Sequence, residues 1–534
     1  MPGVHREVEL KYAADDELEL PSLVELVVDA ATAFSPGGVP LSDGVAAEHR
    51  LEAVYFDTAD LRLAAAGLTL RRRTGGEDAG WHLKLPAGAA TRTEIRLPPG
   101  RVPPGRTPRA VPDQLRSMVW ARTLGRPLQP VARITTDRTL RRLSDPTGRV
   151  LVEVADDRIT AQRLTPLDGT GEVVSAPTHW REIEVELGDG AADLVEALDA
   201  RLRDRGLRTA AGSKLAHVLD GARPERRTSG KEADARRRWT AKSTAGEVVL
   251  AHIREQVTQV QAQDLPVRLD APDAVHKMRV ATRRLRSALS TFQPLFDPDV
   301  VRPLREELKW LAGELGAARD AEVMRDRVRT AVDAQSSDMP TRAGADAAQE
   351  ELDTAYRAAH DRVLAELDGD RYHQILSSLQ QLAEQPPLRK PAKAPAGTAL
   401  PPLVARSYHR VRRLVDRARA LPAGAERDEL LHDARKAAKQ ARYAGESVAT
   451  VFGEDAGAFA AAMEAVQEAL GEHQDSALTR ERLHALALHA PSTEVAFLYG
   501  RLHAQEEARA QHTQQRFDAA WKAAGRKSVR RWLR

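Results

Sequence analysis

The chain has 534 residues, more than a single hydrophobic core usually holds, so we expect two or three domains. Apolar residues make up 42% and charged residues 29% of the chain, as in soluble globular proteins. The formal charge is only +3, but acidic pairs cluster before residue 190 and basic clusters recur after residue 230. Cysteine is absent, which excludes disulfides, thiolate metal sites and cysteine nucleophiles.

The first residues, MPGVHREVELK, contain neither the apolar stretch nor the small-residue cleavage site of a signal peptide. No segment approaches the roughly 18 uncharged apolar residues that cross a membrane. Together with the absence of cysteine, these features predict a cytoplasmic protein with no membrane partner.

Residues 1 to about 220 alternate between polar and apolar side chains in short segments separated by turn residues. This period of two predicts an antiparallel β domain, interrupted by helices around 17–33 and 191–205. Six segments carry a charged stripe on one face: REVELK, LTLRRR, WHLKL, TEIRL, VEVADD and REIEVEL. In a closed sheet with this face inward the stripes would line a polar tunnel, whereas in a sandwich they would face solvent.

A tunnel of this kind suits phosphoryl chemistry. Its arginines and lysines would hold an oligophosphate, and its carboxylates would hold a hard cation such as Mg²⁺ or Mn²⁺. Both would stabilise charge that develops on a transferred phosphoryl group.

The motif Glu7-x-Glu9-x-Lys11 in the first segment resembles the signature of the CYTH family, the triphosphate tunnel metalloenzymes. Further motifs follow in the order of that family: Tyr55-Phe-Asp57-Thr, Gly67-Leu-Thr-Leu-Arg71-Arg-Arg73, Trp81-His-Leu-Lys84, Glu94, Arg133, Arg138, Glu153, Asp157, Glu184-Val-Glu186 and Ser213-Lys214. The resemblance covers residues 1–221 and implies an eight-stranded antiparallel tunnel. It also implies cleavage of triphosphates or short polyphosphates with Mg²⁺ or Mn²⁺.

The resemblance assigns roles to individual residues. Those that would contact phosphate are Lys11, Arg71, Arg73, Lys84, Arg133, Arg138 and Lys214. Those that would hold the metal are Glu7, Glu9, Glu153, Glu184 and Glu186. Asp157 would bind the metal or orient one of its ligands, and with Glu7, Glu9 and the basic residues it completes the predicted catalytic set. We interpret Tyr55 and Asp57 as turn and packing residues, and His82 as a structural or phosphate-side contact.

Residues 222–243 are polar, basic and poor in apolar side chains, so we expect a linker there. From residue 244 onward, apolar residues recur at spacings of three and four, which predicts long helices. The predicted helices cover 244–265, 272–293, 299–333, 341–366, 426–450, 455–488 and 492–524. The segment 385–402 is too proline-rich for a helix and would divide this region into halves of about 244–384 and 403–525.

The two helical halves repeat one motif. It reads HKMRVATRRLR from His276 and HDARKAAKQAR from His432, which lies 156 residues later. The Leu-Gly pair at 315–316 recurs at 470–471, an offset of 155 residues. Two matches at nearly one offset indicate an internal duplication with pseudo-two-fold symmetry.

Each copy of the motif places basic residues at i, i+3, i+7 and i+10, which is one face of a helix. The first stripe consists of His276, Arg279, Arg283 and Arg286, and the second consists of His432, Arg435, Lys439 and Arg442. Like charges at this spacing cost stability unless an anion faces them, so we interpret the stripes as a polyanion groove and not as a solvated surface. Other basic residues predicted at the groove are Arg284, Arg305, Lys309, Arg319, Arg406, His409, Arg410, Arg413 and Lys436.

The helical region resembles the CHAD family, the conserved-histidine α-helical domain, on the motifs at 275–286 and 308–320. The second copy departs from the pattern at Lys439 and at Gln474. The resemblance implies a domain over 244–534 with two pseudo-symmetric four-helix bundles that bind inorganic polyphosphate. The expected fold class is therefore α+β multidomain, with an N-terminal β tunnel and a C-terminal all-α domain.

The two resemblances, in an order in which such domains occur fused, predict a phosphoanhydride hydrolase. The tunnel would cleave tripolyphosphate or short chains, while the helical domain captures long polyphosphate and raises its effective concentration. One alternative is a nucleotide-directed enzyme, either adenylate cyclase or thiamine triphosphatase. Another is a non-catalytic protein that binds polyphosphate or is targeted to polyphosphate granules. A nucleic-acid partner is disfavoured, because only 4% of residues are aromatic and single strands are bound by aromatic stacking.

Overall fold

A computed structural model describes residues 3–27, 41–86, 91–100, 110–167, 171–188, 192–210, 212–220, 239–333, 339–422, 424–490, 492–510 and 513–534. The chain forms two compact units, Met1–Arg226 and Arg227–Arg534. The predicted linker at 222–243 lies outside the described residues except for 239–243.

The first unit is an antiparallel sheet. Its strands are β1 (Gly3–Ala14), β2 (Ser42–Asp57), β3 (Thr69–Thr74), β4 (Gly80–Pro86), β5 (Thr91–Leu97), β6 (Gln129–Ser144), β7 (Val150–Leu167), β8 (Gly171–Val174), β9 (Thr178–Leu187) and β10 (Arg208–Thr209). Eight of them pair in the order β1-β5-β4-β3-β2-β6-β7-β9, and β9 closes the ring against β1. The predicted eight-stranded tunnel is therefore confirmed for the described residues.

Short helices accompany the ring: α1 (Arg62–Ala65), α2 (Asp113–Met118), α3 (Trp120–Thr123), α4 (Ala192–Asp204) and α5 (Lys214–Asp220). Helix α4 confirms the helix predicted at 191–205. Of the helix predicted at 17–33, residues 23–27 are helical, 17–22 are not, and 28–33 lie outside the described residues. Asp57 accepts hydrogen bonds from the backbone N–H groups of Leu63 and Ala64, both at 2.9 Å, at the start of α1. This contact confirms Asp57 as a turn residue.

The apolar side chains of the strands point out of the ring and explain why the charged stripes point in. Tyr12, Val154 and Ile183 belong to a buried cluster that includes Leu194 and Leu198 of α4. Because successive side chains on a strand project to opposite faces, covering the apolar face with helices turns the charged face toward the interior.

The second unit is helical throughout. Its helices are α6 (Ala245–Arg268), α7 (Ala274–Thr291), α8 (Pro298–Asp333), α9 (Met339–Leu367), α10 (Asp370–Glu384), α11 (Ala396–Arg419), α12 (Ala425–Glu446), α13 (Ala449–Leu488), α14 (Thr493–Ala510), α15 (Thr513–Ala524) and α16 (Lys527–Arg530), with 3-10 turns at Gln293–Leu295, Lys390–Lys393 and Arg531–Leu533. Helices α6 to α9 pack in succession, as do α11 to α14. The predicted all-α class is confirmed. None of the described helices has the length and apolarity needed to cross a membrane.

The prediction that the proline-rich segment 385–402 excludes a helix is wrong, because α11 begins at Ala396. Pro401 and Pro402 lie in the second turn of α11, where they remove backbone donors without ending the helix. The backbone N–H of Ala396 donates to the Ser243 carbonyl at 2.7 Å, which fixes where the helix begins.

Backbone hydrogen bonds are exchanged reciprocally between the beginnings of α6 and α11. Ala245 donates to the Ala394 carbonyl at 2.9 Å, and Ala396 donates to Ser243. A two-fold operation relates these two bonds, as the duplicated sequence predicts. Helices α7 and α12, which carry the two copies of the motif, also contact each other.

Candidate functional site

Side chains that point into the ring of strands enclose a cavity of about 370 Å³, here called the strand cavity. The predicted site residues that line it are Glu9, Lys11, Arg71, Arg73, Lys84, Arg138, Glu153, Glu184, Glu186 and Lys214. The strand register accounts for their convergence, since Lys11 lies opposite Glu184 and Glu9 lies opposite Glu186. The charged stripes of the strands therefore face one another and not solvent.

Glu184 joins three of the basic residues at the cavity wall. Its carboxylate accepts hydrogen bonds from Lys11 at 2.6 Å, Lys214 at 2.5 Å and Arg138 at 2.6 Å. Burial alone would raise the pKa of Glu184, but the charges of Lys11, Lys214 and Arg138 outweigh it and hold the pKa well below the usual range. The carboxylate stays ionised and fixes the positions of three cations.

Asp157 lies behind this cluster and does not line the cavity. It is fully buried and receives two hydrogen bonds from Arg138, each at 2.7 Å. Lys214 approaches it to 2.9 Å. Asp157 was predicted to bind the metal or to orient a metal ligand. Its contacts fit an orienting role, but the groups that it orients are the basic side chains of Arg138 and Lys214.

Arg133 is not placed with the other predicted basic residues. It lies opposite Val54 in the sheet, whereas Arg138 lies opposite His49, a cavity residue. Five positions separate the two arginines, and an odd separation puts their side chains on opposite faces of a regular strand. Arg133 instead approaches Glu52 at 3.5 Å. The structure therefore gives no support to Arg133 as a phosphate contact.

Three carboxylates in the cavity could hold a metal ion. Oxygen atoms of Glu9, Glu184 and Glu186 lie within 4.8 Å of one another. All-oxygen carboxylate ligands suit Mg²⁺ and Mn²⁺, so the residues present fit the cation that the sequence predicts. Glu153 lies opposite Glu186 and pairs with Arg142 at 2.7 Å. The side chain of Glu7 lies outside the described residues.

A second buried carboxylate, Glu94, organises the opposite wall. Arg96 donates to it at 2.5 Å, and Lys84 and Arg71 approach it to 3.5 and 4.0 Å. His82 contacts Glu94 at 2.9 Å, and burial lowers the pKa of His82 to about 4 in spite of this contact. The sequence motifs include Glu94 but suggested no role for it. The alternation along the strand, which places Glu94 and Arg96 on one face, could have indicated that Glu94 contacts basic side chains of the cavity wall.

Tyr55 packs in a buried apolar cluster with Ile134 and Leu215, as predicted, and in addition reaches the cavity. Its side chain is 3% exposed and lines the strand cavity. Arg71 Nη1 donates to the Tyr55 hydroxyl at 3.4 Å, so the hydroxyl proton is free to donate to another acceptor. Burial would raise the pKa of Tyr55, but the neighbouring charge of Arg71 lowers it below its usual value. Tyr55 is therefore a candidate contact for a bound anion.

In the helical unit, the first stripe on α7 is a cluster of mutually repelling cations. Burial lowers the pKa of Arg283, and the charges of Arg279, Arg286 and Arg435 lower it further. Arg435 belongs to the second stripe on α12 with His432 and Lys439, so the two stripes approach each other where α7 meets α12. This arrangement favours an anion between the two stripes.

Each glycine of the repeated Leu-Gly pair lies beside one arginine of a stripe, and at Gly471 a larger residue would collide with it. A Cβ atom at Gly316 would lie 3.6 Å from Nη2 of Arg279, and one at Gly471 would lie 2.9 Å from Nη2 of Arg435. The second motif of the duplication therefore supports the first, a relation that the sequence alone does not show.

Several predicted groove residues already have carboxylate partners. Arg442 pairs with Glu446 at 2.7 Å and with Glu464 at 2.6 Å, and Arg284 pairs with Glu446 at 2.8 Å. Further pairs join Arg319 to Glu322 at 2.8 Å, Lys436 to Asp433 at 3.2 Å and Lys309 to Glu306 at 3.8 Å. In these positions the positive charge is partly neutralised before any ligand binds.

A second cavity of about 480 Å³ lies between α11 and the segment that joins α7 to α8. Five arginines line it: Arg302, Arg389, Arg406, Arg410 and Arg413. Arg302 and Arg389 were missed by the sequence analysis, because no motif connects them to the stripes. His409 is not among the lining residues, and Arg305 donates to the lining side chain of Gln293 at 3.4 Å. We call this cavity the arginine pocket.

Comparison with known proteins identifies both domains. The model of the CYTH domain matches residues 5–218, and that of the CHAD domain matches residues 251–484. CYTH domains are metal-dependent enzymes of phosphoryl transfer and hydrolysis, and the acidic cluster in the strand cavity fits that class. The uncharacterized protein Rv2226 of Mycobacterium tuberculosis is 36% identical over 97% of this chain and 96% of its own length. The chain therefore belongs to the family of proteins that join a CYTH domain to a CHAD domain.

Two solved structures are similar to part of the chain. PptA from Streptomyces chartreusis is 23% identical with a TM-score of 0.44, and covers 52% of this chain and 100% of its own. The CHAD domain from the plant Ricinus communis is 25% identical with a TM-score of 0.43, and covers 53% of this chain and 94% of its own.

Proposed function

We propose that the strand cavity hydrolyses inorganic triphosphate or short polyphosphate chains, and that the helical unit binds longer polyphosphate. The observation that carries the proposal is the convergence of Lys11, Arg71, Arg138 and Lys214 with three clustered carboxylates in one cavity. Cations alone would describe an anion-binding site, whereas cations beside a potential metal site describe a site for phosphoryl chemistry.

The two walls of the cavity would hold the substrate from opposite sides. On one wall, Glu184 and Asp157 position Arg138 and Lys214. On the other, Glu94 positions Arg71 and Lys84, and Arg73 pairs with Asp78 at the rim. Because these side chains are held before substrate binds, little reorganisation is needed when charge develops on the phosphoryl group.

Glu9, Glu184 and Glu186 would hold Mg²⁺ or Mn²⁺ through carboxylate oxygens. A divalent cation there would neutralise phosphate charge and polarise the phosphoanhydride bond. The carboxylates of these residues orient Lys11, Arg138 and Lys214 in addition, so their loss removes both metal and phosphate contacts.

Inorganic substrates are favoured over nucleotides by the cavity lining. Tyr55 and His49 are its only aromatic side chains among the described residues, and most other lining residues are charged. A nucleobase binds best against an apolar or aromatic surface, which this cavity does not offer. The lining therefore argues against a nucleotide-directed enzyme.

Phosphate release from tripolyphosphate, ATP and thiamine triphosphate, each with Mg²⁺, Mn²⁺ or EDTA, tests the proposal. We expect the fastest release from tripolyphosphate, no release with EDTA, and loss of at least about 100-fold in the double variant Glu9→Gln plus Glu186→Gln. Asp137→Asn removes an exposed carboxylate on β6 as a control and should retain activity. Release that persists in EDTA, or is fastest from ATP, would overturn the proposed reaction.

The helical unit would bind long chains through the stripes and raise their concentration near the cavity, if the two units of one chain act together. In the full chain, replacing Arg279, Arg283 and Arg286 by Gln should raise KM for long polyphosphate and leave KM for tripolyphosphate unchanged. Equal changes in KM for both substrates would contradict delivery of long chains by the helical unit. Binding of polyphosphate with no phosphate release from any substrate would instead favour a non-catalytic protein.

A further inference from the structure

The arginine pocket carries a positive charge that no described carboxylate neutralises. Its five arginines, named above, have no carboxylate within 4.0 Å among the described residues, and its lining contains neither Asp nor Glu. Thr291 also lines the pocket, is 8% exposed, and has a buried hydroxyl without a hydrogen-bond partner. Guanidinium groups next to an unpaired hydroxyl are what a phosphate group requires.

The arginine pocket is built from both halves, and the pseudo-two-fold symmetry identifies an equivalent place, also built from both halves. Helices α6 and α11 begin 151 residues apart, α7 and α12 carry motifs 156 residues apart, and α8 and α13 carry motifs 155 residues apart. By these offsets, Glu255, Gln259, Ala262 and Gly457 occupy the positions of Arg406, Arg410, Arg413 and Arg302. Four arginines of the pocket therefore correspond to one acidic and three uncharged residues at the equivalent place.

The equivalent place is also closed by an ion pair. Ser290 and Gln440, which line the arginine pocket, correspond to Glu446 and Arg284. These two counterparts pair at 2.8 Å. His252 lies beside the pair, since the charges of Arg284 and Glu446 both act on its pKa, which burial lowers to about 4. The two places are therefore built from equivalent helices, but only the arginine pocket carries a strong positive charge.

The arginine pocket continues the first stripe and not the second. Ser290 lies one helical turn after Arg286 on α7, and Arg305 reaches Gln293 at the pocket wall. In the second half, the residue that corresponds to Arg286 is Arg442, which is neutralised by Glu446 and Glu464. An anion that follows the first stripe therefore enters the pocket, whereas one that follows the second stripe meets carboxylates.

We propose that the arginine pocket is a phosphate-binding site without a functional symmetry mate, and that it takes a run of several linked phosphates from an inorganic polyphosphate chain. The counterpart around Arg284 and Glu446 stabilises the fold and does not bind. The inference rests on the polyphosphate binding proposed above. It predicts that one chain of polyphosphate binds asymmetrically to a symmetric scaffold.

The test replaces Arg302, Arg410 and Arg413 by Gln in the full chain and measures binding of long-chain inorganic polyphosphate by calorimetry at several salt concentrations. We expect affinity to fall at least about tenfold, and the slope of log Kd against log salt concentration to fall by about 2, because three phosphate contacts are lost. The matched control replaces Arg357, Arg362 and Arg501, exposed arginines on α9 and α14, with the same change in charge. It should change affinity by about twofold or less.

The outcomes separate the pocket from the proposed function. If the pocket and control variants bind equally well, the pocket inference is overturned while polyphosphate binding by the helical unit stands. If the unmodified protein does not bind polyphosphate, the proposed function fails and the inference with it. Circular dichroism checks folding, and should the triple variant lose helicity, the single exposed change Arg410→Gln replaces it, with an expected loss of about threefold to fivefold. No loss in that variant would likewise overturn the inference.

Discussion

The strand cavity and the first stripe differ in whether their basic side chains have carboxylate partners. In the cavity, Glu184 contacts three cations, and Glu94 contacts the basic side chains of the other wall. On α7, Arg279, Arg283 and Arg286 make no ion pair with a carboxylate among the described residues. Basic side chains that are paired with carboxylates keep their positions without a ligand, as catalysis requires. Basic side chains without such partners repel one another, and an anion that binds removes this repulsion, which favours binding.

The largest expected effect compares two arginines on β6. Arg138→Gln removes a cavity residue and should lower kcat/KM for tripolyphosphate by about 100-fold. Arg133→Gln removes an arginine on the opposite face and should lower it by about twofold or less. Steady-state phosphate release measures both. Equal losses of kcat/KM in the two variants would support the phosphate contact that the sequence motifs suggested for Arg133.

The next effect concerns Tyr55. If its free hydroxyl proton contacts a phosphate oxygen, Tyr55→Phe should lower kcat/KM about five- to tenfold, as expected for one hydrogen bond. Tyr12→Phe provides the control, because the Tyr12 hydroxyl binds Asp199 outside the ring at 2.6 Å. Unchanged kcat/KM in Tyr55→Phe, or the same loss of kcat/KM in both variants, would show that the Tyr55 hydroxyl does not contact phosphate and that the residue only packs.

A smaller effect compares equivalent positions of the two stripes. Burial and the charge of Arg305 lower the pKa of Arg286, so Arg286→Gln should stabilise the free helical unit by about 0.5 kcal/mol. Arg442→Gln leaves Glu446 and Glu464 without their partner and should destabilise it by about 1 kcal/mol. Hydrogen exchange with mass spectrometry reads the helical unit separately from the strands. If both variants changed the stability of the helical unit in the same direction, the proposed difference in charge between the two stripes would be contradicted.

The smallest effect is a pH dependence at His276. Burial and the charge of Arg319 lower the pKa of His276, Arg279 acts in the same direction, and Asp273 and Glu322 oppose them. The imidazole is therefore neutral in the free protein at neutral pH, and a bound polyanion favours its charged form. Binding takes up a proton, so affinity for polyphosphate should rise about threefold more between pH 7 and 5.5 than in His276→Gln. Parallel pH profiles would exclude this contribution.

The sequence predicted the tunnel because alternation and motif order act along single strands. It failed at Arg133, although the odd separation from Arg138 contains the correction. It predicted that Tyr55 packs, which is confirmed, but a tyrosine within an apolar run does not reveal that its side chain also lines the cavity. In the helical unit, motif matching found both stripes but not α10, Arg302 or Arg389. The arginine pocket is built from segments distant in sequence, and periodicity does not report such contacts.

The glycines beside Arg279 and Arg435 have a consequence for affinity. Each guanidinium lies beside its glycine: a Cβ atom at Gly471 would displace that of Arg435, whereas one at Gly316 would make an ordinary contact with that of Arg279. A long side chain restrained in this way loses its rotamer freedom when the protein folds and not when the ligand arrives. The entropy that a surface arginine would lose on association is thereby removed from the binding step, and each phosphate contact contributes more fully to retention of the chain.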